Sequence, residues 1–381
     1  VSKGSGKDGD RDERDDDDHG GGGDGHAAVD DPLFYWNTTP VEGSPDTPGK
    51  VRPDKEFEMN FFNRDLEMPD GRDVEFWGFE DKLIDSDEDV IRPSSLIRVS
   101  EGDIVHVTLK PSKRQHTIHL HGIEIDSHND GVGHTSFEVT GSYTYQFHAG
   151  APFRALDDPR PKTRGAGTYI YHCHVNTVLH FHMGMWGGLI VDPATGPGTA
   201  FHNGPDYDDE RFWFIGDVDP TWRELGHAAG MKGGDAGLNV FRPIYFDITG
   251  VFQPMRSGRT DPNAVIEDPR ITATAPVDGV PTLVRLGNSG YGPQEITFHG
   301  IADGSLDVEV IASDGRAFDN QAPNYAQPFL LPPGPFVVGT AERYDLLLKP
   351  RRRGTSLVTI EQKDWISGKV HGVLQTTVTG V

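Results

Sequence analysis

Ten of the seventeen histidines fall between His116 and His182, and the only cysteine lies among them as His172-Cys173-His174. The cluster opens with His116-Thr-Ile-His119-Leu-His121-Gly122 and closes with His172-Cys173-His174-Val-Asn-Thr-Val-Leu-His180-Phe-His182-Met183-Gly184-Met185. A soft thiolate, imidazoles and a nearby thioether select copper over magnesium, calcium or manganese. A sulfur flanked by two histidines also implies more than one copper, joined through the chain.

The elements that must position these groups are strands. Tyr169-Ile170-Tyr171 reads as the end of one, being β-branched and aromatic. If it continues, His172 and His174 point to one face and Cys173 to the other. His119 and His121, two residues apart, share a face by the same rule, while His116 is free to turn toward the cysteine side. Two ligand sets follow. One is His116, Cys173, a later histidine and a methionine, the composition of a blue-copper electron-transfer site. The other is His119, His121, His172 and His174, a sulfur-free set of neutral imidazoles suited to coppers that meet oxygen or another small oxidant.

HxxHxHG followed by HCH, then His and Met, resembles the copper-binding signature of the multicopper oxidases, including laccases and two-domain laccases. The resemblance extends to Leu96–Val107, Asp130-Gly131-Val132, Gly141–Phe147, Gly167–Tyr171 and Gly184–Val191. It implies an all-β fold of two cupredoxin-like Greek-key sandwiches, which the short β-rich runs and turn residues also suggest. It implies a type 1 copper at His116, Cys173, His180 and Met185, with type 2 copper at His119 and a type 3 pair at His121, His172 and His174. Electrons would pass from type 1 through Cys173 to a cluster that reduces O₂ to water, with Asp130 as a candidate proton-relaying catalytic carboxylate. An ordinary turn Asp before Gly131 is the competing reading.

Two departures from the family pattern matter. Six residues separate Cys173 from His180, where the family has four, so His182 competes for the ligand role. His180 keeps the family's spacing to the methionine. A full trinuclear cluster also needs eight histidines, and this domain supplies four. The rest of the chain resembles the copper-free middle domain of three-domain oxidases. There Thr297 stands where the first histidine of HxHG would be, Glu361 falls in the HCH position, and Lys369 replaces the methionine. His299 and His371 remain, each read equally well as hydrogen-bonded structural residues. A twofold contact between two first domains would supply four plus four histidines, and isologous dimers are the commonest oligomers.

The division expected from sequence is an acidic, glycine-rich disordered tail at 1–48, a copper-binding domain at 49–195, a linker at 196–210 and a second cupredoxin-like domain at 211–381. The net charge of −24 argues against nucleic acid or anionic membranes as partners. No stretch approaches the roughly 20 apolar residues of a membrane span. The chain begins at Val1, and a processed, secreted, periplasmic or extracellular protein is expected. Expected partners are O₂, a small reductant (phenol, aromatic amine or metal ion) or a redox protein, and a second copy of the chain. A trimeric copper nitrite reductase-like enzyme and a non-enzymatic blue-copper carrier are the alternatives.

Overall fold

The computed structural model describes residues 52–83, 94–111, 114–123, 125, 129–133, 138–149, 165–231, 236–318 and 326–381. The tail assigned to 1–48, and His128 and His134, lie outside these residues.

The first sandwich holds β1 (Lys55–Glu67), β2 (Asp73–Asp81), β3 (Ile97–Ser100), β4 (Ile104–Lys110), β5 (His119–His121), β6 (Tyr143–His148), β7 (Gly167–His172), α1 (Thr177–Met183) and β8 (Trp186–Asp192). They form two four-stranded sheets, β2-β1-β4-β6 and β3-β8-β7-β5. The alternating burial of β3 and β4 follows from Ile97, Val99, Val105, Val107 and Leu109 pointing inward. Strand β7 is buried along its whole length, so it runs as an uninterrupted apolar and aromatic segment. The pairing is not wholly antiparallel: β1 runs parallel to β4, and β3 parallel to β8. Parallel neighbours arise because each pair is joined by long connections across the sandwich rather than by a hairpin.

The second sandwich begins with β9 (Asp209–Val218) and ends with Val370–Gly380. Its two larger sheets centre on Thr282–Asn288 and on Gly354–Lys363, and enclose a core that includes Trp213, Phe246, Leu286 and Ile360.

The two sandwiches are joined by a polar seam. Arg98 makes a bidentate pair with Asp192 at 2.7 and 2.8 Å and reaches Glu210 at 2.7 Å. Arg285, fully buried, donates to Glu210 at 2.5 Å and to Thr168 at 3.2 Å, while Thr168 also bonds Asp345. A buried guanidinium is tolerable only when so matched, and removing one partner strands the other charge. Close approach at the same seam requires Gly315. Its φ of +73° is left-handed, and a Cβ there would sit 2.2 Å from the Tyr169 ring. The Tyr169 hydroxyl donates to the Gly315 carbonyl at 2.8 Å.

Candidate metal centre

The register of β5 on β7 sets His119 opposite His172, with His121 opposite Ile170. Cross-strand partners share a face, so three imidazoles gather from two short segments. Their nearest ring nitrogens all lie within 4.8 Å of one another. His121 Nδ1 is 3.2 Å from His172 Nε2. The His174 ring stands beside them, its centroid 5.4 Å from His119 and 5.8 Å from His172. The ladder ends at His172, yet the alternation continues through Cys173. The two imidazoles line a cavity of about 320 Å³, and the thiol sits in the core with no exposed surface.

On the other face, Cys173 Sγ lies 3.6 Å from His116 Nδ1 and 3.3 Å from His180 Nδ1. His180 comes from α1, which the chain forms immediately after Cys173 and ends at Gly184 in the left-handed region. Met185 is buried in the same core cluster, and its carbonyl accepts from the Cys173 amide at 2.9 Å. His182, the expected competitor, points elsewhere: its Nε2 accepts from the Asp219 amide at 3.2 Å, and its ring packs on Trp222 and Phe241.

The donor set fits copper. Two bonds of about 2.0 and 2.3 Å meeting near 120° place nitrogen and sulfur about 3.7 Å apart, close to the spacing seen at Cys173. Burial pushes the Cys173 thiol up to about 12, so its thiolate forms only when a soft cation replaces the proton. Burial also lowers the imidazoles, His116 to about 2, His180 to about 3 and His121 to about 4. His172 is held well below its ordinary value by burial, opposed by the bond to Cys173. All are neutral at pH 7, the form that binds metal.

Hydrogen bonds fix which nitrogen of each ring faces inward. His119 Nδ1 donates to the Asp130 carbonyl at 2.7 Å, with the Asp130 carboxylate 3.1 Å away, leaving Nε2 for the cavity. Gly131 permits this: its φ is +69°, and a Cβ would lie 2.0 Å from the Ile118 carbonyl oxygen. His172 Nδ1 donates to the Cys173 carbonyl at 2.9 Å, adding a hydrogen-bonded path to the covalent one between the two faces.

A multicopper oxidase family model matches residues 80–196, the stretch that holds these ligand candidates from His116 to Met185. Residues 80–196 carry a multicopper oxidase domain. Copper is its cofactor. This multicopper oxidase domain is similar to the copper resistance protein A homolog of Pseudomonas syringae pv. tomato, at 34% identity over 26% of this chain and 15% of that protein. It is similar to the L-ascorbate oxidase of Cucumis sativus, at 31% identity over 35% of this chain and 20% of that protein. The chain thus aligns with a fifth or less of either relative. Among solved structures, the blue copper oxidase from Nitrosomonas europaea shares the fold, with a TM-score of 0.57, 23% identity and 86% of each chain covered. All-β architecture with cupredoxin-fold relatives agrees with the sequence expectation.

The second domain brings no HxH pair to the cavity. Its contribution to the wall is Ser289, Gly290, Tyr291, Thr340 and Ala341. His299 is exposed and its Nε2 bonds Thr359 Oγ1 at 2.9 Å, His371 pairs with Asp364 at 3.1 Å, and Glu361 with Lys363 at 2.6 Å. Sequence reasoning missed one residue at the sulfur site. His227 has a ring nitrogen within 4.8 Å of those of His116 and His180. No spacing in the sequence signals it, because it arrives from the second domain.

The geometry separates the two neighbouring histidines by experiment. His180→Ala is expected to abolish or strongly bleach the thiolate-copper absorption. His182→Ala is expected to keep that absorption while losing about 1–3 kcal/mol of stability, since the Asp219 amide loses its acceptor. Denaturant melts and visible spectra on both variants check this; bleaching in His182→Ala alone would reverse the roles.

Proposed function

We propose that the chain is a laccase-like copper oxidase that takes electrons singly at a type 1 site and reduces O₂ at a cluster shared between subunits. His116, Cys173, His180 and Met185 hold type 1 copper. His119 serves the type 2 copper, and His121, His172 and His174 serve the type 3 pair. The observation that carries this reading is the alternation at His172-Cys173-His174, which puts a buried sulfur between two Nδ1 atoms on one face and imidazoles around a cavity on the other.

Bound copper supplies the one-electron chemistry and the affinity for O₂. The protein supplies the rest. The core around Cys173 excludes water and holds the donors at fixed spacing. Cys173 and its neighbours provide the connection between faces, one peptide unit to each histidine. Asp130 holds the tautomer of His119 and places a carboxylate 3.1 Å from its Nδ1, where it can pass a proton toward the cavity. Four histidines are half of a trinuclear set, and the second domain's wall adds none. A second copy of the first domain completes the eight.

The secretory location expected from sequence stays part of this proposal. No helix among the described residues is long and apolar enough to cross a membrane. Phenols, aromatic amines, metal ions or a redox protein are the donor classes.

Copper per chain, visible and EPR spectra, and sedimentation of the copper-loaded protein test the proposal. More than one copper per chain, a blue and a type 2 signal, and an oligomer that consumes O₂ are expected. His121→Ala should keep the blue absorption while oxygen consumption falls by about 100-fold or more. The ligand-free wall of the second domain favours one other reading, a blue-copper electron carrier; a single blue copper without turnover would establish it. Nitrite turnover without O₂ turnover would instead support a nitrite reductase-like enzyme using His299 of a neighbouring copy.

A further inference from the structure

The segment from Asp219 to Met231 belongs to the second domain in sequence, yet it is fastened to the first. Helix α1 is its platform. His182 Nε2 accepts the Asp219 amide at 3.2 Å, and the Met183 carbonyl accepts from Arg223 Nη1 at 2.7 Å. Asn176, the residue before α1, donates through Nδ2 to the carbonyls of His227 at 3.0 Å and Ala229 at 2.9 Å. Leu225 and Ala229 pack against the core of the first sandwich. His227 Nε2 donates to the Gln115 carbonyl at 3.0 Å, one residue before His116.

These contacts seat His227 over the sulfur site. Its ring centroid is 4.5 Å from that of His180 and 5.1 Å from that of His116, and it lies at 27° to the Trp77 ring. Both His116 and His180 turn Nδ1 toward Cys173, so their Nε2 edges face outward. The His180 edge is occupied, its Nε2 donating to the His227 carbonyl at 3.2 Å. The His116 ring is stacked under Phe61 at 4.8 Å. Both outer imidazoles are buried, whereas His227 is only half-buried.

We propose that His227 is the positioning and specificity-determining residue of the sulfur site. Its carbonyl fixes the His180 ring, and its imidazole replaces the edge of His180 as the surface an electron donor touches. A planar aromatic donor is denied direct stacking on His180, and donors that make contact through the His227 imidazole are favoured. This rests on the type 1 reading. It also gives the ligand-free second domain a task at the first domain's copper site, and gives His182 one as an anchor for the covering segment.

The test is anaerobic stopped-flow bleaching of the thiolate-copper absorption by hydroquinone in the copper-loaded full chain, with the reduction potential measured alongside. His227→Ala removes the ring but keeps the carbonyl. The expected result is reduction by hydroquinone faster by about tenfold or more, with the absorption band retained. His227→Gln, which refills the space and keeps a donor for Gln115, is expected to return to near the wild-type rate. Asn176→Gly loosens the carbonyl clamp and is compatible with the left-handed backbone at φ 44°. It is expected to shift the potential as well as the rate.

Unchanged hydroquinone rates in both His227→Ala and Asn176→Gly, with lowered thermal stability alone, would overturn the proposal and leave a purely structural strap. Loss of the band in folded His227→Ala would also overturn it, by making His227 a ligand. Should His227→Ala not fold, Asn176→Gly decides: an unchanged rate and potential count against the proposal, an accelerated rate for it. A wild-type protein with no blue band would remove the type 1 reading itself, a failure seen before any variant is made.

Discussion

Cys173→Ser is expected to yield a folded protein whose intense visible absorption and donor oxidation both fall to background. The side chain has no exposed surface and sits 3.3 and 3.6 Å from two imidazole nitrogens. A hydroxyl is close in size to a thiol, so the core does not collapse into a large void. What is lost is the soft, polarisable ligand and the covalent connection between the two faces of β7. Serine stays protonated and binds copper weakly, so the trigonal His₂Cys site cannot form. Visible spectroscopy and copper content on the purified variant check this. Retained blue absorption would sink the type 1 assignment.

The copper-free protein is expected to lose stability between about pH 6.5 and pH 5. His116, His172, His180 and His182 are all buried, and in each the imidazole is held below its ordinary value, chiefly by burial. A histidine depressed in the fold contributes stability that is fully present above its unfolded value of about 6.5. That stability is lost as pH falls, until the folded value is reached. At about 1.4 kcal/mol per pH unit, His116 and His180, held at about 2 and about 3, each cost about 2 kcal/mol by pH 5, and His172 and His182 add loss in the same direction.

Buried carboxylates act with the opposite sign, Asp345 among them. Burial raises Asp217 to about 7 and Asp247 to about 6. Their folded values lie above the unfolded ones, so falling pH relieves their strain by about 3–4 kcal/mol over the same interval. The lowered histidines outnumber the raised carboxylates, so the net change is a loss, drawn from the roughly 5–15 kcal/mol that ordinarily holds a protein folded. A pH titration of circular dichroism on apoprotein measures it. Copper loading should move the midpoint to lower pH, because bound imidazoles cannot take protons. An apoprotein with undiminished stability at pH 5 would show that these histidines are not buried in solution as they are here.

The facing of the candidate donors was legible in the sequence because spacing on a strand is a local property. Alternation at period two puts Cys173 on one face and His172 and His174 on the other, whatever surrounds them. The family resemblance likewise marked the strands around Val99, Val107 and Leu189. The parallel pairings of β1 with β4 and of β3 with β8 were not announced, since strand order depends on which distant segments meet.

The choice between His180 and His182 belongs to the same class. Both lie on α1 two residues apart, and only the helix's orientation on the core turns His180 to the sulfur and His182 to Asp219. His227 is the extreme case. It lies 47 residues from His180, in a segment with no metal-binding pattern, and reaches the site only because the covering segment is anchored to α1. Local sequence determined what each donor set is made of and which residues share a face, through backbone geometry. Tertiary packing decided what covers the sulfur site, which histidine reaches it, and that the second domain's wall of the cavity carries no ligand, because those are long-range contacts that no spacing encodes.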